Sequence, residues 1–132
     1  MRPQTRAFLD KAGSLLAQAD TMLEVNLTDA AGRTAYLAGV HAAQALIFER
    51  TGKVVKRHRG VQTQLHLLTK DEPRFGTELR AFLGRTYNLK AIADYETGPG
   101  SEVSRGQAEQ AVAVAKRFIA CITGLIGEGS IC

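Results

Sequence analysis

Apolar residues recur every three or four positions along most of the chain, which is the spacing of amphipathic helices. The first stretch predicts a helix from about Pro3 to Glu24, with the proline in the first turn, where its missing amide hydrogen does no harm. The apolar positions of this helix are Phe8, Leu9, Ala12, Leu15, Leu16, Ala19, Met22 and Leu23. The following residues 25–27 are predicted to form a short connection.

The second predicted helix begins at Thr28 or Asp29, whose side-chain oxygen can cap it, and extends to about Thr51. Gly52 follows as a natural terminator of the helix. Apolar residues lie almost all the way round this helix, and such a helix is expected at the centre of a fold. One of its faces carries only small residues, to which another backbone can come close: Ala35, Ala38, Ala42 and Ala45.

The rest of the chain predicts three further helices. A short one covers about residues 60–68, and a long one begins with Asp71-Glu72-Pro73 and reaches about Glu96. Gly98-Pro99-Gly100 is the clearest break. Ser104–Gln107 then forms a capping box that starts the last helix, which ends near Ile126.

No segment alternates polar and apolar residues in the manner of a strand. We therefore predict an all-α fold, an up-and-down bundle of four long helices plus one short helix, with a single domain over residues 1–132. No apolar run approaches the ~20 residues that cross a bilayer. No signal peptide is recognisable either, so the sequence predicts a cytoplasmic protein that does not bind membranes.

The positive charge is concentrated in one segment. The chain has a net charge of +4, yet five basic and no acidic side chains lie within residues 50–59, which leaves −1 for the remainder. Such a patch attracts polyanions. Its predicted members are Lys53, Lys56, Arg57, His58 and Arg59.

Motifs for metal, cofactor or nucleophile chemistry are missing from the sequence. The histidines His41, His58 and His66 do not have the spacing of a zinc site, and there is no glycine-rich phosphate loop and no nucleophile elbow. We expect neither a metal nor a cofactor, and the pattern identifies no catalytic residue.

Polar residues on the central second helix are the remaining candidates for function. Arg33, His41 and Gln44 must be paired, lie at an edge or line a cleft, because burying an unpaired polar group is costly. Arg33 and His41 are about 12 Å apart along the helix axis, so they cannot bond each other but could reach one ligand. A carboxylate such as Asp94 is a suitable partner for Arg33.

Three segments resemble a known family. Arg33–Leu46, with the polar residues just described, resembles the second helix of HEPN-domain proteins. His58–Val61 resembles the family's "H-x-G-V" at the start of a short helix, and Leu89–Tyr95 resembles a late "R-x-x-A-D-Y" segment. The three occur in the family's order and spacing, and the resemblance spans about residues 5–125.

This resemblance implies a helical bundle that usually forms a homodimer and is linked to nucleotide or RNA biology. Many relatives are paired with a small nucleotidyltransferase in a toxin–antitoxin-like system. Some are metal-independent ribonucleases with an Arg-x4–6-His motif on a late helix. This chain has Lys90 and Tyr95 at that place, and tyrosine is a poor base at neutral pH. Arg59 and His66 match the spacing but lie in another segment.

Three functions therefore stay open. The first is a non-catalytic module whose cleft binds a nucleotide or RNA, with the rings of Tyr36 and Tyr95 available for stacking on a base. The residues of that cleft would be Arg33, Tyr36, His41, Lys90 and Tyr95. The second is a toxin-type endoribonuclease that uses His41 or His66. The third is a scaffold for protein interactions, with the alanine face of the second helix packed either within the chain or against another subunit.

Overall fold

The computed structural model describes residues 1–127, and within that range all regular structure is helical. The five helices are α1 (Pro3–Glu24), α2 (Thr28–Thr51), α3 (His58–Thr69), α4 (Thr77–Tyr95) and α5 (Arg105–Ile126). Four are long and α3 is short. The predicted all-α architecture is confirmed.

Helix α2 lies at the centre and packs against each of the other helices. Its antiparallel pairing with α1 is marked by the hydrogen bond from Thr5 to Glu49, and its antiparallel pairing with α4 by the ion pair of Arg33 with Asp94. Helices α2 and α5 run in the same direction and still pack together. Helices α1 and α4, on the other diagonal of the bundle, have at most a marginal contact.

The alanine face of α2 explains why α2 and its neighbours can approach so closely. Side chains of this size add little to the radius of the helix, so neighbouring helices can pack near its backbone. All four members of the face, Ala35, Ala38, Ala42 and Ala45, are completely buried inside the chain. This face therefore serves packing within the chain rather than a subunit interface.

Aromatic rings fill the space between α4, α5 and the α3–α4 connection. Phe118 of α5 lies 4.8 Å from Phe82 and 5.6 Å from Phe75, measured between ring centroids. All three are at most 2% exposed. Burial of each such ring stabilises the fold by about 1.5–3 kcal/mol.

Two of the predicted helix ends are confirmed. Gly52 adopts a left-handed conformation (φ 71°) after α2, and its amide donates to Phe48 O. Ser104 and Gln107 form both hydrogen bonds of a capping box at the start of α5.

The predicted cap of α2 is wrong, because neither Thr28 nor Asp29 caps that helix. Instead Asp29 Oδ1 accepts a hydrogen bond of 2.7 Å from Val103 N and ties α2 to the segment before α5.

The predicted start of the third long helix is also wrong. Helix α4 begins at Thr77, and residues 71–76 form turns. The side chain of Glu72 accepts hydrogen bonds from Arg74, and this bend brings Phe75 into the core. Burial of the phenylalanine thus overrides the helical pattern of the acidic residues and proline. Helix α3 begins two residues earlier than predicted, at His58.

Among the helices that the structure describes, none is both long and apolar enough to span a bilayer.

Gly39 of α2 lies directly against the ring of Phe82 on α4. A β-carbon at this position would lie 2.4 Å from Phe82 Cε2, so Gly39→Ala forces a buried ring to move. We expect this variant to lose about 1–3 kcal/mol of unfolding free energy in urea titrations, as overpacked cores do. The matched control is Gly13→Ala on α1, where a β-carbon meets nothing within 4 Å. It should gain roughly 0.5–1 kcal/mol. Equal stability of the two variants would contradict the tight α2–α4 contact.

Candidate functional site

Two positive side chains from different helices meet at one carboxylate. Arg33 Nε of α2 lies 2.9 Å from Asp94 Oδ1, and Lys90 Nζ of α4 lies 2.8 Å from Asp94 Oδ2. The predicted pairing of Arg33 with Asp94 is confirmed. The hydrogen bond from Lys90 and the nearby charges of both cations hold the pKa of Asp94 below its usual value. At neutral pH these three groups therefore carry one net positive charge.

This cluster is open to solvent. The side chain of Arg33 is 47% exposed, and those of Lys90 and Asp94 are 23% and 22% exposed. The ammonium group of Lys90 also lies 5.6 Å from the ring centroid of Tyr95, which is 76% exposed at the end of α4. Arg33, Lys90 and Tyr95, three of the predicted ligand-binding residues, thus lie together at one edge of the α2–α4 contact.

Tyr36 lies one turn after Arg33 on α2, but its ring is only 5% exposed. Its hydroxyl is 2.8 Å from His58 Nδ1 at the start of α3. Its ring centroid is 5.6 Å from those of both His58 and Tyr87. Tyr36 is therefore a buried support of the site and offers no free face to a base.

His58 and Tyr87 form a stacked pair. Their ring centroids are 4.0 Å apart, and the planes are inclined by 19°. The ring of His58 is turned inward, unlike its predicted partners in the basic patch, whereas Tyr87 of α4 is 41% exposed. Tyr36 was predicted to stack on a base, but Tyr87 beside it is the ring that solvent can reach.

The Tyr36 hydroxyl fixes the orientation of the His58 ring through its hydrogen bond with Nδ1. Burial raises the pKa of Tyr36 to about 12, so this hydroxyl stays protonated at neutral pH. Burial and the neighbouring Arg59 lower the pKa of His58, which keeps the ring neutral at pH 7. Nε2 of His58 forms no hydrogen bond with a described residue. Since every buried side-chain nitrogen and oxygen of these residues has a hydrogen-bond partner, Nε2 is accessible to solvent.

His41 lies on a different side of α2. Its ring is 6.2 Å from the ring of Phe8 on α1, and its Nδ1 is 2.8 Å from Gln44 Oε1. The Gln44 amide nitrogen donates to Val55 O, which fixes the orientation of the amide. The structure therefore brings His41 together with α1 and the α2–α3 connection, and not with Arg33 and Lys90.

The basic connection before α3 presents its charges to solvent. Lys53, Lys56, Arg57 and Arg59 are exposed, and none of them forms an ion pair with a described residue. Three of them border an open concavity of about 710 Å³ together with Gly60 and Thr63. Because His58 lies in the same segment, this patch adjoins the His58–Tyr87 pair.

The sequence reasoning missed Tyr87 as part of the site, and it placed His58 only in the basic patch. One signal was available: Tyr87, Lys90 and Asp94 follow one another at spacings of three and four residues, so they share one face of a helix. The pairing of that face with Arg33 and Tyr36 depends on the register of two helices. Within residues 1–127, no cluster of three or more His, Cys, Asp or Glu side chains could hold a metal ion.

The fold and site define a small helical-bundle domain with a cationic and aromatic face. The HEPN domain model matches residues 5–125, and the chain belongs to this family. It is similar to the crystal structure of TT1696 from Thermus thermophilus, with 20% sequence identity and a TM-score of 0.78. That similarity covers 92% of this chain and 98% of the other, and it shows a shared fold. No curated protein matches the chain.

The lowered pKa of His58 predicts a pH dependence of stability. Because the folded state favours the neutral ring, His58 contributes stability above its ordinary pKa of 6.5, and that contribution is lost as the pH falls through the lower pKa of the folded state. Urea unfolding of the wild type should therefore show a larger loss of stability between pH 7.5 and 5.5 than the variant His58→Asn. Asparagine can still form a hydrogen bond with the Tyr36 hydroxyl but does not titrate. Identical pH profiles would show that His58 titrates as a free residue.

Proposed function

We propose that this protein is a cytoplasmic HEPN module that binds a nucleotide or RNA at the α2–α4 edge. The observation that carries the proposal is the convergence of Arg33 and Lys90, from two helices, on the single carboxylate of Asp94. Arginine and lysine are the usual phosphate ligands of proteins. Tyr95 adds an exposed ring beside Lys90.

Asp94 holds the two cations in the way that a phosphate would. A carboxylate that binds a guanidinium and an ammonium group has the charge and the acceptor oxygens of a phosphodiester. An incoming phosphate has to compete with it, and the half-exposed Arg33 is the cation most able to turn toward the ligand. The basic connection with Lys56, Arg57 and Arg59 would raise the local concentration of the polyanion.

Binding of a fluorescent single-stranded RNA tests this site. The double variant Arg33→Gln/Lys90→Gln should bind at least tenfold more weakly than the wild type, since charge-assisted hydrogen bonds contribute about 1.5–3 kcal/mol each. Its affinity should also depend less on salt, with a slope reduced by about one to two. Fluorescence anisotropy at two salt concentrations measures both effects.

The matched control removes two positive charges elsewhere. Arg6 and Lys11 are exposed on α1 and form no ion pair with a described residue, so Arg6→Gln/Lys11→Gln has the same net charge as the test variant. It should bind nearly as well as the wild type. Asp94→Asn should bind more tightly, because it removes the competing anion. Equal weakening by both double variants would mean that overall charge, and not this site, binds the RNA.

A metal-independent ribonuclease is the second candidate function, and one contact favours it. Gln44 Nε2 donates to Val55 O, so the Gln44 oxygen faces His41 and accepts from Nδ1–H. Nε2 of His41 is then an unprotonated acceptor, the tautomer that a general base needs. It has no partner among the described residues, and it therefore faces solvent. His66 is also exposed, on α3, but forms no hydrogen bond with a described residue that orients its ring.

If the protein cleaves RNA through His41, then His41→Asn should reduce the rate by about 10²–10⁴-fold. Asparagine preserves the donor to Gln44 and lacks the second ring nitrogen. His66→Asn is the control and should cleave like the wild type. The measurement is RNA cleavage with chelator present and any partner protein removed. Intact RNA in the wild-type reaction would dispose of this candidate and leave the binding function unaffected.

We also propose the assembly that the family implies, a homodimer paired with a small nucleotidyltransferase in a toxin–antitoxin-like system. The exposed side chains of Arg33, Lys90 and Tyr95 support pairing with a nucleotidyltransferase, because cationic and aromatic side chains suit the nucleotide that such an enzyme handles. Molecular mass in solution and co-purification with a nucleotidyltransferase encoded beside this protein test the two parts separately. Co-purification without any nucleotide or RNA binding would favour a scaffold.

A further inference from the structure

The stacked pair of His58 and Tyr87 has no role in the proposed phosphate contacts, although it is firmly positioned. The buried Tyr36 supports it through a hydrogen bond with His58, a tilted contact with the His58 ring and an edge contact with the Tyr87 ring. Tyr87 is 41% exposed, and its hydroxyl makes no hydrogen bond with a described residue. An aromatic ring held rigidly at the surface offers a flat apolar area at little cost in conformational entropy.

Cations lie on both sides of this pair. Lys90 is one helical turn beyond Tyr87 on α4 and belongs to the cluster with Arg33 and Asp94. Arg57 and Arg59 flank His58 in the sequence and border the open concavity before α3, and Val55 just before them is hydrogen-bonded to Gln44, about two helical turns beyond Tyr36 on α2. Along α2 the order is therefore the cationic cluster of Arg33, the aromatic group around Tyr36, and then the basic connection. A single nucleic-acid strand has the complementary order of phosphate, base and phosphate.

We infer that Tyr87, supported by His58 and Tyr36, is the base-stacking platform of this protein, and that its ligand is a single-stranded RNA. The inference rests on the proposed phosphate site and specifies its ligand further. An unpaired base lies on the Tyr87 ring, one adjacent phosphate reaches Arg33 and Lys90, and the other reaches Arg57 and Arg59. Stacking on an aromatic ring tolerates any base, and a duplex offers no unpaired base to stack.

Anisotropy titrations with two RNAs test the platform. One is an oligouridylate of about ten nucleotides, within the range that small single-strand-binding modules cover. The other has the same length and the same phosphates but abasic riboses at its central positions. Since stacking contributes about 1–3 kcal/mol per base, the wild type should bind the complete RNA at least about fivefold more tightly. Tyr87→Leu should lose this preference and keep its affinity for the abasic RNA.

Tyr87→Phe is the matched control and should retain the preference, since it keeps the ring and removes only the hydroxyl. Thermal melts followed by circular dichroism establish that both variants are folded. Equal affinity of the wild type for the two RNAs, or a preference that survives in folded Tyr87→Leu, overturns the platform and leaves the phosphate site standing. Failure of both RNAs to bind the wild type overturns RNA binding by this protein, and the platform with it.

Discussion

The structure depends on one packing constraint, the close approach of α2 to its neighbours. Four completely buried alanines line one face of α2, and Gly39 leaves room for the ring of Phe82. Close packing brings many atoms into van der Waals contact. The summed dispersion energy compensates for the small hydrophobic stabilisation that each alanine side chain contributes. The same approach sets the register between α2 and α4. A shift of one turn along either helix would separate Arg33 from Asp94 and Tyr36 from Tyr87.

The candidate functional groups lie where α2 reaches the surface at the edge of this packing. A residue on a central helix reaches solvent only along the narrow edge that its neighbours leave open, and Arg33 lies on such an edge beside α4. Each polar side chain there is restrained by a second element: Arg33 by Asp94, and Tyr36 by His58. The same surroundings shift the protonation equilibria, because the hydrogen bond from Lys90 lowers the pKa of Asp94 and burial lowers that of His58.

Local patterns predicted the helices well and the site only in part. Periodicity, the proline of α1, Gly52 and the Ser104 capping box act within a few residues, so the ends they mark could be read from the sequence. The start of α4 could not, because burial of Phe75 against Phe118 is a long-range contact that overrides the local helix signal of residues 71–73. Arg33 and Asp94 could be paired from the sequence because their charges are opposite. The contact of His58 with Tyr36 could not be predicted, because it depends on where α3 packs.

The buried amide of Gln44 has a consequence for the charged connection between α2 and α3. Val55 O accepts a hydrogen bond from this amide, and the Val55 side chain packs against Gly60, so the connection is fastened at its middle. A free loop would lose conformational entropy whenever its arginines and lysines gathered around a ligand. Here the backbone at Val55 has already been ordered during folding. The connection would therefore lose less backbone entropy on binding a polyanion than a free loop would.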